Sequence, residues 1–359
     1  MGRAKQPGPD TSAKRTSSSA DRAIRVVVIG GGTGLSTLLK GLKPYVGEAS
    51  AKASVPAISD LSAVVTVSDD GGSSGRLRKE LNMLPPGDIR NCIVALSEDE
   101  ALLSRLFQHR FVQGSGLQGH SFGNLFLAAL TSITGDFSEA VRLSSEILVT
   151  RGHIYPATTS NVELEALMED GSRVLGETKI TASKGRIKEL FLLPPDVEPL
   201  PQTLEAISRA DLITLGPGSL FTSLIPNLLV RGISQAIAAS SAVKVYICNL
   251  MTQANESLGR TAADHIRALQ GHAQARIFDF ALLSQTPASA EMKAKYALEG
   301  ATQVVCDLDA IKELGVTPVL GDYLGEGEVA RHATDWIARD LMRLMARKPS
   351  GSEHSAATW

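Results

Sequence analysis

Ile24-Arg25-Val26-Val27-Val28-Ile29-Gly30-Gly31-Gly32-Thr33-Gly34-Leu35 is the stretch whose reading decides the fold. Its first six residues are a nearly continuous β-branched run. Such a run suits a strand buried on both faces of a parallel sheet. Glycines end it, and 35–42 then carries a helical pattern. Strand, glycine turn and helix together open an α/β unit. One glycine would suffice for a turn, so this cluster points to a ligand. Glycine permits close backbone approach. The start of the following helix offers unpaired N–H groups and a positive dipole end, which suit phosphate. Gly31, Gly32, Thr33, Gly34 and Ser36 are therefore candidate phosphate-binding residues, the last through its hydroxyl. The dinucleotide fingerprint fits poorly. Counting G-x-G-x-x-G from Gly30 puts Leu35 at the third glycine, and no acid ends a second strand about 20 residues on.

Working outward, further strands are expected at 63–67, 211–215 and 243–248. Helical patterns cover 88–96, 101–111, 122–133, 138–148, 262–269 and 329–345. Between 152 and 195 the texture changes. Stretches 162–168, 173–180 and 187–193 read as strands of a small β insertion. The alternation predicts a Rossmann-like, doubly wound α/β fold with a mostly parallel sheet. It occupies residues 24–347. Residues 1–23 and 348–359, rich in Ser and small or charged residues, read as disordered tails.

Ligands in such sheets bind beyond the carboxyl ends of the strands, so the residue after each strand matters. Asp69-Asp70-Gly71-Gly72-Ser73-Ser74 follows the second strand. Adjacent carboxylates there could hold Mg²⁺ or accept from ligand hydroxyls, and strand alternation would aim only one of them into the site. Ser73 and Ser74 are hydroxyl donors. Gly216-Pro217-Gly218-Ser219 follows the third strand. Asn249 follows the fourth, where amides suit base or sugar readout. Asp88 is an N-cap or a site residue. Arg90, beside Asn91, could grip a phosphate bidentately. His120 could donate a hydrogen bond or act as acid or base. Asn124 stands out in an apolar helix start.

The whole chain sets limits. It has 359 residues, 43% hydrophobic, and a net charge of −2. No global positive field draws it to nucleic acid or anionic membrane. Cys92, Cys248 and Cys306 form no Cys-x-x-Cys pair, which disfavours a disulfide framework or zinc site and suits a reducing compartment. No apolar stretch reaches the ~20 residues of a membrane span, and no apolar segment follows the basic N-terminus. A cytoplasmic protein is expected. The sequence leaves homo-oligomerisation open.

Six ordered motifs resemble the YvcK proteins, called gluconeogenesis factors, within the CofD-like superfamily. They are GGGTGLSTLLKGLK (30–43), SDDGGSSGRLR (68–78), PPGDIRNC (85–92), GHSFGNL (119–125), LGPGSLFTSLIPNLLV (215–230) and CNLMTQ (248–253). The resemblance implies a CofD-type fold that binds a UDP-sugar, typically UDP-N-acetylglucosamine. It also implies a role in cell shape and in growth on gluconeogenic carbon through cell-wall synthesis, whose proteins would be partners. Arg331 matches an arginine associated in that family with UDP-sugar binding, with Ala333 in place of the usual Asp. The sister CofD branch transfers a phospholactyl group with Mg²⁺. Its carboxylate and basic positions align with Asp69, Asp70 and Arg90. The leading expectation is a UDP-sugar-binding regulator without catalysis, and the alternative is an Mg²⁺-dependent phospho-group transferase.

Overall fold

The computed structural model describes residues 23–47, 55–98, 100–183, 185–254 and 256–347. Both predicted tails, except residue 23, lie outside these.

The predicted first strand forms as β1 (Ile24–Gly30). Its apolar side chains are almost wholly buried, as a strand covered on both faces requires. The other strands are β2 (Ile58–Val65), β3 (His153–Pro156), β4 (Glu163–Met168), β5 (Arg173–Leu175), β6 (Ile187–Leu193), β7 (Leu212–Leu215), β8 (Val243–Ile247), β9 (Phe280–Ser284) and β10 (Thr317–Gly321). A seven-stranded sheet runs β10-β9-β8-β7-β1-β2-β3. Its strand pairs are all parallel. From β1 the chain winds outward through β2 and β3. It then returns to β7 on the other side of β1 and winds outward again. The strand order thus reverses between β1 and β7, and such a switch point opens a crevice beyond the strand ends.

Helices flank this sheet. Gly32–Leu42 packs on Gly87–Leu96 and Thr334–Arg347, so closely that a Cβ on Gly41 would sit 2.8 Å from the Thr334 carbonyl oxygen. Pro201–Arg209 packs on Ile233–Ala239. The fold is the predicted mostly parallel α/β architecture.

The β insertion differs from its predicted bounds. β3 belongs to the edge of the main sheet, and the separate antiparallel sheet is β5-β4-β6. The stretch expected as a strand over 173–180 stops at Leu175 and turns into the helix Glu177–Ala182. Gly176 makes that turn with φ +96, and a Cβ there would meet Asp70 Oδ2 at 2.7 Å. Only glycine combines that backbone with that contact. The last helix starts at Thr334 rather than 329. Before it, Gly325 N donates to the Arg331 carbonyl and Ala333 N to that of Tyr323, each at 2.8 Å, which holds the segment as a closed loop.

Among the described residues no single helix is long and apolar enough to cross a membrane.

Candidate functional site

A cavity of about 510 Å³ opens at the switch point. Gly31–Gly34, following β1, and Pro217–Ser219, following β7, form adjacent walls. The two turns touch. A Cβ on Gly34 would lie 2.3 Å from the Pro217 carbonyl oxygen, and one on Gly31 would lie 2.5 Å from Thr66 Cγ2. The glycines are thus needed for backbone packing at the cradle itself.

Asp88 fastens this cradle. It lies in the first turn of Gly87–Leu96, whose N-cap is Pro86, so Asp88 is not the N-cap considered from the sequence. Its Oδ2 accepts from Gly32 N at 2.6 Å, across from one loop to the other. Burial pushes its carboxyl up to about 6, against the lowering effect of the Gly32 bond. Helix starts leave their first N–H groups without intrahelical partners. With Gly32 engaged, the next two amides at the start of Gly32–Leu42 belong to Thr33 and Gly34, which line the cavity. The Ser36 hydroxyl does not join them, since it donates to the Thr33 carbonyl at 3.0 Å.

One of the paired aspartates enters the cavity, as expected, but neither lies in a strand, because β2 ends at Val65. Asp69 lines the wall. Asp70 turns away and accepts from the Thr178 amide at 2.8 Å and from its hydroxyl. The pair therefore does not converge on one metal. Among the described residues no group of three or more His, Cys, Asp or Glu side chains could hold a metal ion. Asp70 instead ties the β insertion to the sheet, and Arg78 does the same by donating to Asn161 Oδ1 at 2.7 Å and to the Val162 carbonyl. That docking brings Glu177 into the cavity wall. Burial first, then the charges of Asp69, Asp70, Asp88 and Glu256, raise the Glu177 carboxyl to about 8. Perturbed groups of this kind cluster at functional sites.

Five predicted residues form a largely buried polar network that does not line the cavity. Arg90 is the hub. Its Nη1 donates to Ser121 Oγ at 2.6 Å and Asn124 Oδ1 at 2.8 Å, and its Nη2 to Asn91 Oδ1 at 2.8 Å. Asn124 Nδ2 donates to Ser73 Oγ at 3.1 Å, and Ser73 Oγ meets His120 Nδ1 at 2.9 Å. Burial, then Arg76, lowers the His120 pKa. The Ser73–His120 contact would suggest a nucleophile and its base, but neither residue lines the cavity. Ser74 is buried beside Gly87, where a Cβ would meet its Oγ at 2.5 Å. These side chains lock three helices together and set the position of Asp88.

Beyond β8 the wall becomes amide-rich and then apolar. Asn249 Nδ2 donates to Gln253 Oε1 at 3.3 Å, and Gln253 Nε2 to Ser219 Oγ at 2.9 Å. Leu250, Met251, Tyr296, Ala330 and His332 complete this end. His332 Nε2 donates to the Cys248 carbonyl at 3.0 Å, and burial lowers its pKa. Arg331 is exposed and lies between two lining residues without lining the cavity itself. Gly216 turns with φ +87 beneath the rim and does not line the cavity.

Sequence reasoning missed Thr66, Glu177, Thr222, Ser223, Leu250, Tyr296 and Ala330 as lining residues. Thr66 lay within a predicted strand. Thr222 is set by Glu256, which accepts from its hydroxyl at 2.7 Å and from Phe221 N at 3.3 Å. Glu177 and Tyr296 carry no local signal, because only tertiary folding brings them to the site.

The fold and cavity define an open parallel α/β protein with a polar cradle at its topological switch point. Residues 26–324 match the family described as 2-phospho-L-lactate transferase CofD. A gluconeogenesis factor of Halalkalibacterium halodurans is 50% identical over 327 residues, 90% of this chain and 98% of that protein. One of Bacillus subtilis is 47% identical over 322 residues, 89% and 98% of the two chains. A crystal structure of a Bacillus halodurans protein superposes with a TM-score of 0.84 at 48% identity, covering 89% of this chain and 99% of that one. The chain belongs to the CofD family and, within it, to the gluconeogenesis factors of the YvcK type.

Proposed function

We propose that the cavity binds a nucleoside diphosphate sugar, UDP-N-acetylglucosamine, and that the protein is a cytoplasmic regulator linking this ligand to cell shape and cell-wall synthesis during gluconeogenic growth. One observation carries the reading: two glycine turns meet at the switch point and open onto one polar cavity. Its volume, about 510 Å³, falls within the roughly 300–1,000 Å³ typical of ligand sites. The helix start after Gly31 supplies amides and a positive dipole end for the diphosphate. Partners in cell-wall synthesis are part of the proposal.

The second reading, Mg²⁺-dependent phospho-group transfer, is favoured by the acidic wall of Asp69, Asp88 and Glu177. It is weakened by the divergence of Asp70. Titrating UDP-N-acetylglucosamine, GDP and NAD calorimetrically, each with and without Mg²⁺, separates the two. Heat from the UDP-sugar supports the regulator. Tight Mg²⁺-dependent GDP binding with no response to the UDP-sugar sinks it, and steady release of UDP makes the protein an enzyme.

Arg331 is proposed to reach the ligand from the cavity mouth. Arg331→Ala should weaken UDP-sugar binding about tenfold or more, the worth of one charge-assisted hydrogen bond. Its melting temperature should not change, because the side chain is exposed. Unaltered affinity would remove Arg331 from the site.

A further inference from the structure

The charge of the cavity wall is one-sided. Asp69, Asp88 and Glu177 line it, and among the described residues that line it there is no Lys or Arg. A diphosphate is therefore placed by the amides of the glycine cradle. A further anion held against the acids would be repelled, so what meets them beyond the phosphates must be uncharged. The three acids differ in their partners. Asp88 Oδ2 accepts from Gly32 N at 2.6 Å, and Asp69 Oδ1 accepts from Gly71 N at 2.8 Å. Glu177 accepts from no described residue, and both of its oxygens stay accessible to solvent. Its carboxyl group is thus open to a ligand in a way the other two are not.

We propose that Glu177 is a specificity-determining residue of this cavity: its carboxyl hydrogen-bonds a hydroxyl of the sugar and, with Asp69, restricts the ligand to nucleoside diphosphate sugars whose sugar carries no negative charge. The inference rests on the UDP-sugar reading above. The placement of Glu177 supports it. Asp70 accepts from the Thr178 amide at 2.8 Å and so seats the helix Glu177–Ala182 beside the loop after β2. Of the charges that act on Glu177, that of Asp69 is the strongest, which sets the two side by side. The end of the cavity beyond β8 is different, for Leu250 and Met251 join a small apolar cluster there with Tyr296 packed on it. Such an end suits the face of a planar base, and the acidic end suits hydroxyl groups, which a carboxylate accepts from. Burial and the neighbouring acids Asp69, Asp70, Asp88 and Glu256 keep Glu177 protonated up to about 8. A protonated carboxyl both donates and accepts, as a hydroxyl does, so the two can pair in either direction.

The test titrates the full chain calorimetrically with UDP, UDP-N-acetylglucosamine, UDP-glucose and UDP-glucuronic acid, each with and without Mg²⁺. The last two ligands differ only at C6 of the sugar, a hydroxymethyl group in one and a carboxylate in the other. Wild type should bind UDP-glucose about tenfold or more tighter than UDP-glucuronic acid, and either neutral UDP-sugar more tightly than UDP. Glu177→Ala should weaken the neutral UDP-sugars about tenfold and leave UDP nearly as it was. Glu177→Gln, which also donates and accepts, should recover most of that loss. Glu177→Lys should turn the preference toward UDP-glucuronic acid. A merely structural role would lower the melting temperature and weaken UDP and UDP-sugars alike, leaving every ratio in place. Equal loss for UDP and UDP-sugars in Glu177→Ala therefore overturns the inference, since the carboxyl would then act at the phosphates or on the fold. So does wild type that takes up UDP-glucose and UDP-glucuronic acid equally. A gain from Mg²⁺ that wild type shows and Glu177→Ala lacks would make Glu177 a metal ligand and overturn it too. Failure of wild type to bind any uridine ligand overturns the proposed function, and this inference falls with it.

Discussion

Gly34→Ala is expected to abolish measurable UDP-sugar binding. The added Cβ would sit 2.3 Å from the Pro217 carbonyl oxygen and 2.8 Å from its carbonyl carbon. Both are backbone atoms, so no side chain can rotate aside. Gly34 does not sit at positive φ, so the effect is contact alone. Relief requires the β1 and β7 turns to separate by up to an ångström, and those turns are the two walls of the cradle. Overpacking of this kind costs about 1–3 kcal/mol, which should lower the melting temperature. Misplaced amides at Thr33 and Gly34 should lower affinity at least about 100-fold, equivalent to ~2.7 kcal/mol. Gly271→Ala is the control. Gly271 lies within Ala262–Ala273, and a Cβ there meets nothing within 4 Å. That substitution should be neutral or mildly stabilising. Calorimetric titration and thermal melts of both variants decide the matter. Wild-type affinity in Gly34→Ala would show that the diphosphate does not lie on this cradle.

The fold and cradle were legible because they depend on local chemistry. A β-branched run followed by glycines specifies strand, turn and helix without help from distant residues. The order of such units then places every strand end on one rim. β3, β9 and β10 escaped notice for a related reason. β3 spans only His153–Pro156, and the edge strand β10 is largely unburied, so neither has a long apolar run. β9, Phe280–Ser284, is short, and a short apolar run does not by itself tell a strand from a helix segment. The site was legible to the same degree. Residues next to a strand end were placed, as with Gly31–Gly34, Asp69, Pro217–Ser219 and Asn249. Residues read by type, such as Arg90, His120 and Asn124, proved to be linked through Ser73 in a protein network. A polar side chain in an apolar helix signals a partner, and sequence alone does not say whether that partner is ligand or protein. Glu177 shows the converse. Its place depends on Asp70 and Arg78 docking a separate sheet, which no local pattern encodes.

Asp88 supplies the second large effect, and it is a dependence on pH. In the unfolded chain its carboxyl has the ordinary value of 3.8, and burial in the fold raises it to about 6. Well below pH 3.8 the group is protonated in both states and contributes no penalty. As pH rises from 3.8 toward 6 the unfolded chain gives up the proton that the folded protein still holds, so the stability associated with it falls, and the loss is complete once the folded group ionises above about 6. The shift from 3.8 to about 6 corresponds to about 3 kcal/mol, at 1.36 kcal/mol per pKa unit. Asp88→Asn keeps an oxygen acceptor for Gly32 N and cannot ionise. The amide adds two donors whose burial costs about 1–3 kcal/mol if they stay unpaired, but that cost does not vary with pH. The difference in unfolding free energy, variant minus wild type, should therefore climb by about 2.4 kcal/mol between pH 4 and pH 7.5, most of it below pH 6. Urea unfolding at steps across that range measures it directly. A flat difference would mean that Asp88 titrates alike in both states. Asp88 would then be ionised throughout the range from about pH 5 upward, and it would repel the ligand's phosphates equally across it. A rising difference has the opposite consequence. A ligand diphosphate beside Asp88 favours the protonated acid, so UDP-sugar affinity should fall as pH rises through 6 in wild type and fall less in Asp88→Asn.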